Sequence, residues 1–239
     1  MPVLRNLAAA IFILAVPVAI LTTNVRFLAN EPRVYRYAID QFGAVAETGI
    51  ERGQLLRSSA ELRDYFNNGQ ERVAIRVERG TRQELLFNPR ETDHLKDVKS
   101  RFRLVSRLQE FSIIFVLAYV AAVVLWAKEI STRRLAVYVG VGAGIALLVV
   151  GVLGAVGMAG FEGAWTDFHR LMFSNDYWLL NPATDHLIQM FPPEFWESMV
   201  FFVGLLAAAE SALLLLAAGL YIGATGRQTS AGQLEPFYA

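Results

Sequence analysis

The chain has 239 residues, no net charge and no cysteine, and 54% of it is hydrophobic. An ordinary soluble domain is less apolar, so the composition points to a membrane. Balanced charge argues against a nucleic-acid partner, and the missing thiols exclude a cysteine nucleophile, disulfides, lipidation on its own cysteine and thiolate-held metal.

Four segments, 7–23, 111–127, 135–158 and 198–222, have the length and apolarity of membrane-spanning helices. The first follows Arg5 much as a secretory signal would. Its apolar run outlasts a typical signal core, and no small-x-small cleavage site ends it, so residues 1–23 read as an uncleaved anchor. Pro17 within it predicts at most a kink.

Residues 24–110 carry the patterning of a small α+β domain. Val34, Tyr37, Ala38, Phe42 and Val45 share one helical face over 32–48. Ser58 or Ser59 is placed to cap a helix A-E-L-R-D-Y-F-N-N, which Gly69 ends. R-V-A-I-R-V-E and R-Q-E-L-L-F, parted by R-G-T, predict a β-hairpin. In F-N-P-R-E-T-D-H-L-K-D-V-K, Asn88 at the cap, Pro89 at the first helical position and Glu91 at the third form a capping box. The helix they open runs on toward the second span. His94, Asp97 and Arg101 share a face of it, at i, i+3 and i+7. Asp97 is placed to orient the imidazole or raise its basicity. Arg101, Arg103 and Arg107 approach the span, where arginines snorkel or meet lipid phosphates.

The connection 128–134 is short and basic. The third span contains G-V-G-A-G-I-A and G-V-L-G-A-V-G, small residues that let helix backbones approach closely in lipid. In the loop 159–197, Thr166 or Asp167 is placed to cap a helix holding F-H-R-L-M-F. Ser174, Asn175 and Asp176 make a turn and Asn181-Pro182 another, Thr184 or Asp185 starts a helix through H-L-I-Q-M, and Pro192-Pro193 opens the last helix. Phe161, Trp165, Phe168, Phe173, Tyr177, Trp178, Phe191, Phe195 and Trp196 match an aromatic belt at headgroup depth. Glu210, the one acid inside a span, is expected to bond Tyr, Ser or Lys128 on a neighbouring helix rather than to join the site.

The positive-inside rule orients the chain. Arg5, the connection with Lys128, Arg133 and Arg134, and the tail 223–239 with Arg227 read as cytoplasmic. The loop 159–197, with Arg170 against six acids, reads as outer. Residues 24–110 carry 16 basic and 13 acidic residues, but a loop this long escapes the rule and is placed outside as well. All three histidines, His94, His169 and His186, then lie on outer segments. His169 sits at the lipid–water boundary, where desolvation and nearby acids tune an imidazole. His186 reads as an exposed helix residue beside Asp185.

Four spans, a first outer loop with E-T-D-H-L-K-D-V-K and a second with F-H-R-L-M-F-S-N-D-Y-W-L-L-N-P resemble the bacterial lipoprotein intramolecular transacylase family. The resemblance implies an α-helical protein of the bacterial cytoplasmic membrane and an acyl transfer within diacylglyceryl lipoproteins. The sn-2 acyl chain moves from the glycerol oxygen to the α-amine of the lipidated N-terminal cysteine, giving the lyso-form. It matches His94 and His169 to the family's two functional histidines. Such a reaction needs a base that becomes an acid, an oxyanion stabiliser and proximity of amine and ester. The amine is the substrate's own, so no enzyme nucleophile and no cofactor is called for. His94, oriented by Asp97, is assigned as base and His169 as oxyanion partner, with exchange of the roles left open. Arg101, Arg170, Asn175, Asp176 and Trp178 are candidates for contact with substrate or lipid.

Rival readings use the same residues. A metal-dependent hydrolase would take His94, His169 and Asp97 or Asp176 as ligands, but no tight ligand spacing such as HExxH is present. A non-catalytic membrane subunit would use the aromatic loops to dock a partner or a lipid. A transporter fits less well, with no visible inverted repeat and one buried acid.

Overall fold

The computed structural model describes residues 2–126 and 132–231, the last six of these by backbone alone. The element order is α1 (Pro2–Asn30), α2 (Pro32–Gln41), α3 (Ala44–Thr48), α4 (Arg52–Asn67), β1 (Arg76–Arg79), β2 (Arg82–Leu85), α5 (Pro89–Leu125), α6 (Thr132–Met172), α7 (His186–Met190) and α8 (Pro193–Ala231). Among the described residues, the helices α1, α5, α6 and α8 are long and apolar enough to cross a membrane. Lys128 lies outside the described residues.

The chain forms two compact units. The first takes Met1–Asn24, Arg107–Leu153 and Gly204–Ala239. Its core is thin: Phe12, Val16 and Ile20 of α1 pack with Ala146 and Ala207, and the Phe12 ring stacks on Tyr119 at 4.5 Å. Large apolar side chains such as Leu117, Leu148, Leu213 and Leu216 stay exposed. That pattern suits helices solvated by lipid rather than water. Of the third span's glycines, Gly142 is the one at a close contact. A Cβ there would stand 2.8 Å from Val16 Cβ and 2.9 Å from the Ile13 carbonyl oxygen. Glu210 finds a partner other than those expected. Asn24 Nδ2, on α1, donates to its Oε2 at 2.9 Å. Asn24 is a deeply buried side chain whose amide also bonds the Ile20 carbonyl. Pro17 lies within α1 without interrupting it.

The second unit takes Val25–Ser106 and Gly154–Val203. Its core gathers Ile39, Ile50, Leu55, Leu62, Tyr65, Leu86, Leu95, Met190 and Phe195. The face expected over 32–48 forms two helices, because Gly43 takes φ 71° between α2 and α3. Left-handed backbone of this kind is open to glycine at little cost. Ser58 and Ser59 do not cap; both are buried inside α4, which starts after Glu51. Burial of Leu55 and Leu62 on the same helix carries it back a full turn and more beyond the serines. The hairpin closes over Gly80 and Thr81, with Arg79 opposite Arg82 and Val77 opposite Glu84.

The capping box forms at the head of α5. Glu91 Oε2 accepts the Asn88 N–H at 2.7 Å, and Asn88 Oδ1 accepts the Glu91 N–H at 3.0 Å. Neither Thr166 nor Asp167 starts a helix. The helical run of α6 is broken instead at Gly160, where φ is 154° and ψ 96°, and His169 lies on the stretch beyond.

Candidate functional site

His94 and His169 both belong to the second unit and lie outside the apolar spans 111–127 and 135–158. Each imidazole is at least nine-tenths buried, and the ring centroids are 6.1 Å apart with planes inclined by 37°. Phe173 lies against both, at 5.2 Å from the His94 ring and 5.7 Å from the His169 ring. Trp165 meets His169 edge-on at 4.6 Å, and Trp178 lies 5.0 Å from it. Trp165 stacks in turn on Phe168 and on Trp196. The aromatics of residues 161–196 therefore build a wall around one imidazole.

The polar environment of the rings is uneven. His169 Nδ1 lies 2.8 Å from the carbonyl oxygen of Trp165, so it carries a proton and donates it. In the neutral ring Nε2 is then a bare lone pair. His94 Nδ1 is buried with no hydrogen-bond partner. Burial pushes the His94 imidazole down to about 4; nearby His169 adds to the fall and Asp97 opposes it. Burial lowers His169 as well, against the bond to the Trp165 carbonyl, which raises it. Both rings are thus held neutral near pH 7, as desolvation of a cation requires.

Asp97 is half-buried, and its Oδ2 accepts from Asn175 Nδ2 at 2.8 Å. This bond ties the 174–176 turn to α5 one helical turn beyond His94. Asn175 Oδ1 also accepts the Tyr177 N–H, and the Asp176 carbonyl accepts from Arg90 at 2.6 Å. Arg170 is exposed and pairs with Asp167 at 3.3 Å. Arg101 is exposed on α5. His186 is half-buried rather than exposed: its Nδ1 bonds the Leu86 carbonyl at 2.8 Å and its Nε2 meets Arg79 at 3.0 Å.

The sequence reading missed the part played by Glu91. Fully buried, it accepts the Leu187 N–H at 2.6 Å besides capping α5. Asp185 completes the seam, taking Asn88 Nδ2 at 2.9 Å and the Asn181 N–H at 2.8 Å. Burial raises the Glu91 carboxyl while its two backbone bonds lower it. The capping box signalled one of these bonds; nothing local in the sequence signals a partner 96 residues away. Phe173 could have been found from its spacing of four from His169, but it read as one more belt residue.

The described residues hold no group of three or more His, Asp or Glu placed to bind a metal ion. The model of the lipoprotein intramolecular transacylase family matches residues 10–196. The chain belongs to that family. Its activity is intramolecular acyl transfer on lipoproteins, and it is a multi-pass membrane protein. The fold is similar to that of the membrane-integral lipoprotein intramolecular transacylase of Bacillus cereus, at 19% identity and a TM-score of 0.77 over 95% of this chain and all of that one. Structures of the Bacillus cereus protein with a histidine replaced by arginine or by alanine match at 18% identity and a TM-score of 0.73. They cover 95% and 94% of this chain and 95% and 96% of theirs. No curated protein sequence matches the chain.

Proposed function

We propose that His94 and His169 carry the transfer of the sn-2 acyl chain from the glycerol oxygen to the α-amine of the lipidated cysteine, giving the lyso-form lipoprotein. The observation that carries this reading is the pair of buried rings 6.1 Å apart, one with a fixed lone pair and the other with an unpartnered nitrogen. The Trp165 bond favours exchanging the roles first assigned from sequence. His169 Nε2 is the proton acceptor. His94, neutral and protonated at Nδ1, offers an N–H to the oxyanion.

The amine attacks the ester carbonyl carbon, forming the C–N bond and moving the carbonyl π pair onto oxygen. His169 Nε2 takes the proton from the new ammonium while the His94 N–H steadies the oxyanion. Collapse breaks the C–O bond, and His169 returns its proton to the departing glycerol oxygen, as a base with a suitable position does. No cysteine is available in the chain to intervene as a covalent carrier. The aromatic wall excludes water, which favours amine over hydrolysis.

Asp97 acts through Asn175 as a positioning residue, keeping the 174–176 turn against α5. Trp178 faces the acyl chain, with Arg101 and Arg170 toward lipid or substrate headgroups and Asp176 held by Arg90. The charge distribution supports a site on the outer leaflet with both termini cytoplasmic.

Expression in a bacterium that lacks N-acyltransferase, followed by mass spectrometry of a lipoprotein N-terminus, tests the reading. Acylated amine and free sn-2 hydroxyl are expected, with loss of both in His94→Ala and in His169→Ala. Full activity in both variants overturns it.

A further inference from the structure

The second unit contains a cleft of about 610 Å³ that the proposed chemistry does not use. Its walls include Glu84, Leu85 and Leu86 from β2 and its exit, Asn88 and Glu91 from the head of α5, and Gln189 of α7. We propose that this cleft holds the polypeptide of the lipoprotein substrate in extended form, paired as a third strand with the outer edge of β2. The proposal deepens the transacylase reading and rests on it for the identity of the occupant.

The edge follows from the hairpin's register. A two-residue loop makes Arg79 and Arg82 a hydrogen-bonded pair, and the pattern alternates from there. Val77 and Glu84 form the next such pair, and the Leu86 N–H to the Ile75 carbonyl at 2.9 Å continues the series. Glu78 on β1 and Gln83 and Leu85 on β2 therefore turn their backbone groups outward. The β1 side is occupied: Gln54 accepts the Glu78 N–H at 2.7 Å and donates to the Glu78 carbonyl at 3.1 Å. The outward groups of Gln83 and Leu85 meet no partner among the described residues. An open edge of this kind is a template for another strand.

The cleft's own chemistry favours a polypeptide. Arg79, its one guanidinium, is already spent on Glu84 at 2.8 Å, the Thr48 carbonyl at 2.7 Å and His186. Glu47, Glu84 and Glu91 line the same space, so a phosphate headgroup would meet more negative than free positive charge. Gln189, nine-tenths buried in the wall, leaves Oε1 without a partner, a polar lining suited to amides. Continuity with the reaction site is short. Glu91 and His94 stand one turn apart on α5, about 4.5 Å along the axis. A chain leaving the lipidated cysteine at about 3.3 Å per residue covers that rise within two residues.

Diacylglyceryl-cysteine lipopeptides with one or eight following residues, carrying a fluorophore, test this by anisotropy on the full chain in detergent. N-acylation of the same lipopeptides is followed separately by mass spectrometry. The longer tail is expected to bind about tenfold tighter, the worth of a few main-chain hydrogen bonds. N-methylation of alternate tail amides in one parity should remove that gain, and in the other parity should leave it. Gln83→Pro should also remove it, because the lost N–H points outward and the ladder to β1 survives. Equal affinity for the two tails, or a gain indifferent to both methylation parity and Gln83→Pro, overturns the proposal. Absence of N-acylation alongside a tail-dependent affinity would instead overturn the transacylase reading and leave the strand pairing standing.

Discussion

Nδ1 of His169 donates to the main-chain carbonyl of Trp165, four residues earlier on the same helical stretch, at 2.8 Å. This bond fixes which nitrogen of the ring can accept a proton. In the proposed division of roles His169 Nε2 is the acceptor and His94 the donor, and a donor can be imitated. An asparagine amide reaches the region of an imidazole Nδ1. We expect His94→Asn to retain about tenfold more N-acylation than His94→Ala, since removing one oxyanion donor costs about 10²–10³ in rate. No such rescue is expected at His169, where both Asn and Ala lose about 10²–10⁴ because an amide is not a base. Quantitative mass spectrometry of lipoprotein N-termini checks both comparisons. Equal loss in His94→Asn and His94→Ala would sink the division of roles.

The burial that readies His94 has a pH signature. Its folded pKa, about 4, lies below the 6.5 of a free imidazole. Above 6.5 both folded and unfolded chains hold the ring neutral, and the fold carries no penalty. As pH falls from 6.5 toward 4, the unfolded chain takes up a proton that the folded one refuses, and stability declines. The full loss is on the order of 3 kcal/mol for this shift. Thermal unfolding in detergent at pH 7 and pH 4.5 should therefore show a smaller acid loss in His94→Asn than in the unaltered protein. An identical pH dependence in both would count against the buried neutral ring.

Glu91 holds the first turn of α5 to the start of α7 through two backbone N–H groups, at 2.7 and 2.6 Å. Alanine there would leave both donors without acceptors, the Leu187 N–H in the core and the Asn88 N–H half-buried. A loss of about 2–6 kcal/mol is expected, taking about 1–3 kcal/mol for each orphaned group. Because His94 sits one turn further along α5, N-acylation should fall more than stability alone explains in the folded fraction. Glu91→Gln keeps one acceptor oxygen and should recover part of both losses. Melting curves and turnover measured on the same preparations separate the two effects.

Much of this was legible in the sequence because it is local. The four apolar runs, the Asn88 cap with Glu91 and the β-hairpin each depend on neighbours within a few positions, although Arg79, read as part of the turn, pairs with Arg82 in the ladder. The features that were not legible depend on distant partners. Ser58 and Ser59 carry a capping composition, but core contacts at Leu55 and Leu62 extend the helix through them. Glu210 was recognisable as the one acid inside an apolar run, whereas its pairing with Asn24 spans 186 positions. The two histidine motifs were readable from their residues, but the Phe173 ring beside both imidazoles is a product of the fold.

Small residues in α6 are not equivalent. An added Cβ at Gly142 would collide with Val16 and the Ile13 carbonyl, whereas at Gly144 it would meet nothing within 4 Å. Gly142→Ala is expected to destabilise the protein by about 1–3 kcal/mol, in the range of other overpacking changes. Gly144→Ala should be neutral or mildly stabilising, since alanine is the better helix former by about 1 kcal/mol. Thermal stability of the two variants in the same detergent decides it; similar destabilisation by both would refute the close approach.

Gly160 offers the same comparison for the backbone rather than for packing. Its φ of 154° and ψ of 96° lie in a region that L residues rarely enter, yet a Cβ there would touch nothing within 4 Å. Any cost of Gly160→Ala is therefore conformational, about 1–3 kcal/mol for a residue held in so sparse a region. Gly163, three residues on, also has open space around it but ordinary helical backbone. Gly163→Ala should hold or raise stability. If the break at Gly160 sets the direction of the stretch bearing Trp165 and His169, relief of the strain by continuing the helix would turn those rings away from His94. Gly160→Ala should then lose N-acylation well beyond its loss of stability, while Gly163→Ala keeps it. Similar activity in the two variants would mean that the break is incidental to the site.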